Sequence, residues 1–318
     1  MISQAIKART PFMQKKFVIS AGKLIESQED NAQVLVFINP NEQEKSLLVN
    51  QFLIDEHTLN SSLDPEEVAR IEFESSHTAV ITKRPRRYSH ADNYLFKIAS
   101  AGLFLFQDKL IIILPEEQVL FDGRLFQKVR SVSDIMLKVV FRCIQHFEEH
   151  LKVIQKISDE LESEINKAMT NKDLVYMFNL EKSLVYYLNA ISSNARMIEK
   201  MRSSSVRMNL STEDVELMED VLIENGQCYQ EANTYSQVLS GMMDAWVSVV
   251  SNNLNIRIKM LTIISLCIMM PTLIVSIFSM NVRLPVPQTG AIWPFWSILF
   301  LALFSGFFIV WLWLSRRW

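Results

Sequence analysis

The sequence predicts an α+β membrane protein with an N-terminal α/β domain, a long helical stalk and two membrane-crossing helices at the C-terminal end. Three observations carry this. Short β-rich runs broken by turn residues fill the chain up to about residue 128. From about Ser131 the pattern becomes helical, with scarcely a glycine or proline. Between Met260 and Ser315 the only charged side chain is Arg283. The expected division is therefore 1–128 for the α/β domain, 129–259 for the stalk and 260–318 for the membrane hairpin with its connecting loop and basic end.

Taken in order, the start "MISQAIKARTPFMQKK" has no apolar core of the kind a cleaved signal peptide needs, so none is expected to be removed. The runs "AQVLVFI", "RIEFE" and "TAVITK" read as strands, and "LFKIASAGLFLFQDKLIIILPEE" as a hairpin turning at Gln107-Asp108. "DPEEVARI" reads as an acidic helix start. "KRPRR", Lys83 to Arg87, interrupts this pattern with charge and a proline. It has no aromatic interleaving beyond Tyr88, so a surface loop is expected and no nucleic-acid partner.

In the helical part, Thr170 with Asp173 and Ser211 with Asp214 have the spacing of capping boxes, which divides it near 170 and again at 203–211. His146-Phe147-Glu148-Glu149-His150 matches H-x-x-E-H, the inverted zincin pattern. In the charge-rich "FEEHLKVIQKISDELESEI" it reads as a solvated helix face, without the cleft a peptidase requires. Glu213, Glu216, Asp220 and Glu224 fall at steps of three, four and four and share one helical face. From Thr212 no stop signal intervenes before the membrane, which gives one helix of about 69 residues and roughly 100 Å. A helix of that length needs partners, and a symmetric bundle supplies them.

Leu261 to Met280 and Ile292 to Leu314 are each long enough, at about 1.5 Å per residue, to cross a hydrocarbon core of about 30 Å. Arg257 and Lys259 precede the first span and Arg316 and Arg317 follow the second, against Arg283 alone in the connection, so the bulk of the chain and both termini are expected in the cytoplasm. Trp293, Trp296, Trp311, Trp313 and Trp318 suit the interfaces of the second span. Composition excludes little: 49% apolar, 21% charged and a net charge of −3 call for no polyanionic partner. Three scattered cysteines offer neither a disulfide framework nor a zinc cluster, and the seven glycines form no phosphate-cradling motif. No enzyme and no organic cofactor are expected.

Stepping back from the membrane in sevens gives Ser276, Met269, Thr262, Asn255, Ser248, Gly241 and Thr234, which are nearly all small or polar in an otherwise Ile-, Leu- and Val-rich stretch. Heptad positions face one direction in a supercoiled bundle. Such a stripe is either a close-packed helix seam or a wall in contact with water. Asn255 and Asn281 bracket the span with carboxamides, which a seam does not need.

"SGMMDAWVSVVSNNLNIRIKMLTII", Pro271 and "SMNV" together resemble the CorA family of divalent-cation channels, whose first span ends in Gly-Met-Asn. "NLEKSLVYYLNAISSN", Asn179 to Asn194, resembles helical segments of its bacterial members. The resemblance implies a homopentameric funnel in the inner (plasma) membrane, with the first span lining a pore and the second facing lipid. It implies passive, potential-driven uptake of hydrated divalent cations, Mg2+ first and Co2+ or Ni2+ besides. Ser279, Met280 and Asn281 would form the selectivity filter. Asn255, Leu261, Thr262, Met269 and Ser276 would line the path, with Leu261 and Met269 as its apolar constriction. Asp220 falls where family members hold a regulatory Mg2+ between subunits, with Asp92 and Glu74 as opposing candidates and Asp244 near the inner funnel. Arg316 and Arg317 would form a basic collar. Two departures bear on selectivity: Ser279 stands where the family has glycine, and the loop "VRLPVPQTG" lacks a carboxylate and carries Arg283. Zinc transport, as in the ZntB sister group, and a non-conducting sensor or scaffold of the same fold are the alternatives.

Overall fold

The computed structural model describes residues 14–27, 31–88, 92–165, 171–280 and 292–316. Among these, β1 (Gln14–Ser20), β2 (Lys23–Glu26), β3 (Val34–Ile38), β4 (Arg70–Phe73), β5 (Thr78–Pro85), β6 (Ile98–Leu105) and β7 (Leu110–Leu114) form one sheet in the order β2-β1-β3-β7-β6-β5-β4. Neighbours are antiparallel except β3 and β7, which run parallel. Helices α1 (Glu42–Phe52) and α2 (Glu56–Ser61) follow β3, and α3 (Val132–Ile165), α4 (Asn171–Ser203), α5 (Thr212–Phe278) and α6 (Trp293–Arg316) follow β7.

The runs "VLVFI" and "LIIIL" are apolar throughout because both faces of the sheet are covered. Val34, Val36, Ile38, Leu110, Ile112 and Leu114 share a core with α3 and α4. The alternate residues Leu35, Phe37, Ile111 and Ile113 pack with Leu48 of α1 and Leu59 of α2. Each such side chain contributes about 1.5–3 kcal/mol on burial. The expected hairpin is present: Leu105 pairs with Leu110, and Phe106 N–H donates to Lys109 C=O at 2.8 Å across Gln107-Asp108.

The helix break at 203–211 falls where its cap places it. Ser211 Oγ accepts from Asp214 N–H and Asp214 Oδ2 accepts from Ser211 N–H, both at 3.1 Å, and α5 then runs unbroken for 67 residues. Thr170 lies outside the described residues. By internal contacts the chain divides into two compact units, Met1–Met243 and Asp244–Trp318. In the first, the sheet, α3, α4 and the start of α5 share one hydrophobic core.

Helix α4 is docked on the sheet by amide and hydroxyl groups of the segment Asn179 to Asn194. β4 ends at Arg70 opposite Ile81, so beyond that point β5 has no strand on that side among the described residues. Asn194, fully buried, takes its place: its Oδ1 accepts from Lys83 N–H and its Nδ2 donates to Lys83 C=O, both at 2.8 Å. Ser183 Oγ accepts from Phe96 N–H at 2.8 Å, and Asn179 Nδ2 donates to Asn93 C=O at 2.9 Å.

Three expectations are corrected. "DPEEVARI" starts no helix but forms turns leading into β4, because the carbonyls of Asp64 and Pro65 are taken by Ser100 Oγ (2.5 Å) and Lys83 Nζ (2.7 Å). "KRPRR" is not a surface loop at its start: Lys83, Arg84 and Pro85 end β5, and Lys83 and Arg84 are buried. The face of α3 bearing His146 and His150 is not solvated either. The two rings lie 4.5 Å apart and half-buried, with His146 Nδ1 bonded to Gln118 Nε2 at 3.1 Å and His150 Nδ1 to Tyr187 Oη at 2.7 Å.

Candidate functional site

The C-terminal part of α5 and α6 meet along a seam that is mostly isoleucine and narrows to small residues where Ala302, Ser305 and Gly306 face Cys267 and Pro271. On α5 the covered positions of this stretch are Ile263, Cys267, Pro271, Ile274 and Phe278, and on α6 they are Pro294, Ile298, Ser305, Gly306 and Ile309 with Ala302 fully buried. These recur every three or four residues, so each set is one helix face. A Cβ at Gly306 would lie 3.5 Å from Cys267 C=O and 3.6 Å from Pro271 Cγ. Pro271 has no N–H for the Cys267 carbonyl, and the backbone of α6 closes over that freed group at a glycine.

At about 100° per residue, Thr262, Met269 and Ser276 fall about 180–220° round the helix from Cys267. Met269 and Ser276 lie on the face of α5 that α6 leaves open, while Thr262, at the edge of that face, lines a cavity shared with Leu312 and Trp313 of α6; all three are exposed. Asn255 and Leu261, also exposed, flank that face. Thr262 Oγ1 donates to Ile258 C=O at 2.9 Å. Its only proton thus stays on its own helix, and its lone pairs point outward as acceptors, the polarity a cation or its water shell requires. α6 presents the opposite chemistry: Phe300, Phe304, Phe308 and Trp311 stack in sequence 5.9–6.2 Å apart on the side away from Ala302. A ladder of three phenylalanines ending on a tryptophan suits lipid, with the indole at its interfacial end.

At the end of the first span, Ser279 N–H still donates to Val275 C=O at 3.1 Å and its Oγ donates to Ser276 C=O at 3.0 Å. A serine therefore closes the helix here by capping it, with no positive φ. Met280 is exposed. Asn281, Arg283 and Arg317 lie outside the described residues, as does the side chain of Arg316.

The carboxylates expected to regulate are not brought together within one chain. Asp220 and Asp244 are exposed on α5. Asp92 pairs with Lys97 at 3.5 Å, and Glu74 stands exposed at the β4–β5 turn, where its N–H donates to His77 C=O. Of the acidic face, Glu213 is held by Arg130; Glu219, next to Asp220 but off that face, lies 3.9 Å from Arg202. Among the described residues, no group of three or more His, Cys, Asp or Glu side chains is placed to hold a metal within one chain.

A second polar cluster, not anticipated from the sequence, lies between the sheet and α3. Arg84 of β5 is 1% exposed; its Nη1 donates to Gln118 Oε1, and Gln118 Nε2 donates to His146 Nδ1. Burial, with the nearby Arg84 and Arg142 charges, pushes His146 down to about 4, and burial together with His146 does the same to His150. Both rings are neutral at pH 7. A sequence signal for them existed: Val139, Cys143, His146 and His150 follow steps of four, three and four along the buried face of α3.

Two packed helices, each long and apolar enough to cross a membrane, following a sheet-and-helix unit, define the class of protein to which the chain is compared. The sequence profile of the family described as CorA-like Mg2+ transporter protein matches residues 32–317, and the chain belongs to that family. The chain is 22% identical over 296 residues to the cobalt/magnesium transport protein CorA of Methanocaldococcus jannaschii, covering 88% of both. It is 23% identical over 238 residues to that of Thermotoga maritima, covering 70% of this chain and 65% of the relative. Its fold matches the complete structure of the CorA magnesium transporter from M. jannaschii with a TM-score of 0.79 at 19% identity, over 94% of this chain and 96% of the other. The full-length CmaX protein matches with a TM-score of 0.71 at 13% identity, over 96% and 97%. The expected fold class, an N-terminal α/β portion, a long helix and two C-terminal apolar helices, stands.

Proposed function

We propose that this chain is a divalent-cation transporter working as a homopentameric channel in the inner (plasma) membrane, with both termini cytoplasmic and Mg2+ as its first substrate. Residues 1–128 and 129–259 serve as sensor and funnel, and 260–318 as pore. The observation that carries the reading is the opposition on α5 between the seam to α6 and the stripe of Thr262, Met269 and Ser276. With α6 on the lipid side, five copies place the stripe on the axis. Hydroxyl and carboxamide oxygens there hold a hydrated ion without trapping it, which suits Mg2+ because it sheds water reluctantly. Asn281, with Ser279 and Met280, forms the filter, and Leu261 and Met269 form the apolar constriction. A dication gains roughly 4.6 kcal/mol per 100 mV on entry, so no nucleotide is required. Cytoplasmic Mg2+ bound at Asp220 against a neighbouring subunit's Asp92 or Glu74 favours the closed state, Asp244 concentrates cations in the inner funnel, and Arg316 and Arg317 ring the inner mouth.

Uptake into proteoliposomes read with a Mg2+-sensitive dye tests this. Potential-driven Mg2+ flux abolished by Asn281→Ala supports the channel, and Ser279→Gly is expected to raise the flux by loosening the capped helix end. Flux of zinc alone would move the protein to zinc transport, and intact pentamers without flux to a non-conducting scaffold.

A further inference from the structure

Past Ile263 of α5 and Ile309 of α6, on the side of Lys259 and Trp313, the seam between the two spans opens. Lys259, Thr262, Ile263 and Leu266 fall at i, i+3, i+4 and i+7 on one face of α5, and Leu312 and Trp313 continue the covered face of α6 three and four residues beyond Ile309. With these larger side chains where the seam has Ser305 and Gly306, the helices do not close. A groove of about 680 Å³ is left between them, a size that takes a small organic ligand or a length of acyl chain. Its walls are aliphatic and aromatic. The proton of Thr262 is committed to Ile258 C=O, which leaves Lys259 Nζ and the Trp313 indole N–H as the donors of the lining.

Charge decides what fits. The unit Asp244–Trp318 carries Arg257, Lys259, Arg283, Arg316 and Arg317 and, apart from Asp244 at its start, no acidic side chain. Asp244 lies 15 residues before Lys259, roughly 22 Å back along the helix. Lys259 has no ion pair among the described residues. The same unit of a second copy, seated in this groove, would bring more cations and no carboxylate to meet them. An apolar groove with a lysine at one end calls for a hydrocarbon chain that ends in an anion.

We propose that this groove seats one tail of an anionic phospholipid of the inner leaflet, with its phosphate held by Lys259 and Trp313. The choice of leaflet rests on the orientation proposed above for the two spans. Lysine and tryptophan both keep an apolar body in the acyl region and a polar tip among headgroups, and a bilayer supplies the ligand in excess at that depth. Thr262 borders both the groove and the open stripe of α5, so the seated tail packs beside the proposed ion path.

Native mass spectrometry of the full-length protein in detergent, titrated with phosphatidylglycerol and phosphatidylcholine of identical chains, tests the proposal. The expected result is a preference of about fivefold for phosphatidylglycerol, lost in Lys259→Gln and kept in Arg257→Gln, which removes the same charge outside the lining of the groove. Leu312→Trp fills the groove without changing its charge and is expected to lower phosphatidylglycerol retention. Equal retention of both lipids by the wild type, or equal loss of preference in Lys259→Gln and Arg257→Gln, overturns the site. A wild type that retains neither lipid leaves the groove to a neighbouring copy and overturns it as well. Retention is read without ion flux, so a protein that prefers phosphatidylglycerol through Lys259 but does not conduct supports this site while the transport reading falls.

Discussion

His146 and His150 make the protein sensitive to acid well above the range in which carboxylates titrate. Both rings are held near 4 by burial against an ordinary value of 6.5. The unfolded chain therefore binds more protons than the folded one between these values. Stability is complete above about pH 6.5 and falls as pH drops toward 4, by on the order of 3 kcal/mol at most for either ring taken alone. His146→Asn keeps an acceptor for Gln118 and removes the titration. Its melting temperature is expected to fall less than that of the wild type between pH 6.5 and 5, and an equal fall would show that the ring does not titrate in this window. Asn194 makes a second residue-scale case. Replacing it by leucine preserves volume but leaves Lys83 N–H and C=O buried and unpaired, at about 1–3 kcal/mol each. A melting temperature clearly below that of the exposed control Arg196→Ala is the expected outcome.

Among the elements, the α5–α6 seam depends on one missing side chain. The spacing at Gly306, 3.5 Å to Cys267 C=O and 3.6 Å to Pro271 Cγ from an added Cβ, is ordinary contact, so Gly306→Ala should melt and conduct like the wild type. Gly306→Leu adds atoms where α5 already stands and should separate the helices, lowering both melting temperature and flux in the dye assay. Unchanged behaviour of the leucine variant would mean that the seam is looser than these distances indicate. Elements whose signals are local were legible in the sequence: the Gln107-Asp108 hairpin, the Ser211–Asp214 cap and the unbroken α5 each follow from a few neighbouring residues. Elements decided by distant partners were not. "DPEEVARI" has the acidic start of a helix, yet Lys83 and Ser100, far along the chain, claim its carbonyls. The charge and proline of "KRPRR" imitate a loop, because nothing local reveals that Arg84 turns into a cavity covered by α3. The stripe on α5 was legible as a period of seven, whereas its position opposite α6 depended on which α5 face the second span chose.

For the whole molecule, the stretch of α5 just ahead of the first span would supply the contacts between copies in the proposed assembly. Val247, Val249, Leu254, Ile256 and Ile258 are all exposed there, and the charged Arg257 and Lys259 interleave with the last of them. Residues with charges on this spacing do not sit in hydrocarbon, so lipid does not cover these side chains, and among the described residues of their own unit none covers them either. Left in water, such a surface exceeds what a monomer ordinarily tolerates, and on one continuous helix the economical cover is the same helix from other copies in a closed ring. Leu254→Asp then places a carboxylate in every copy of one shared interface, where mutual repulsion adds to the desolvation cost. Light scattering of the detergent-purified protein, corrected for bound detergent, is expected to give five copies for the wild type and a smaller particle for Leu254→Asp, with the sheet unit still folded by circular dichroism. A variant that remains pentameric would mean that Leu254 lies outside the contacts between copies. A wild type that runs as a monomer would remove the central axis on which the proposed path depends.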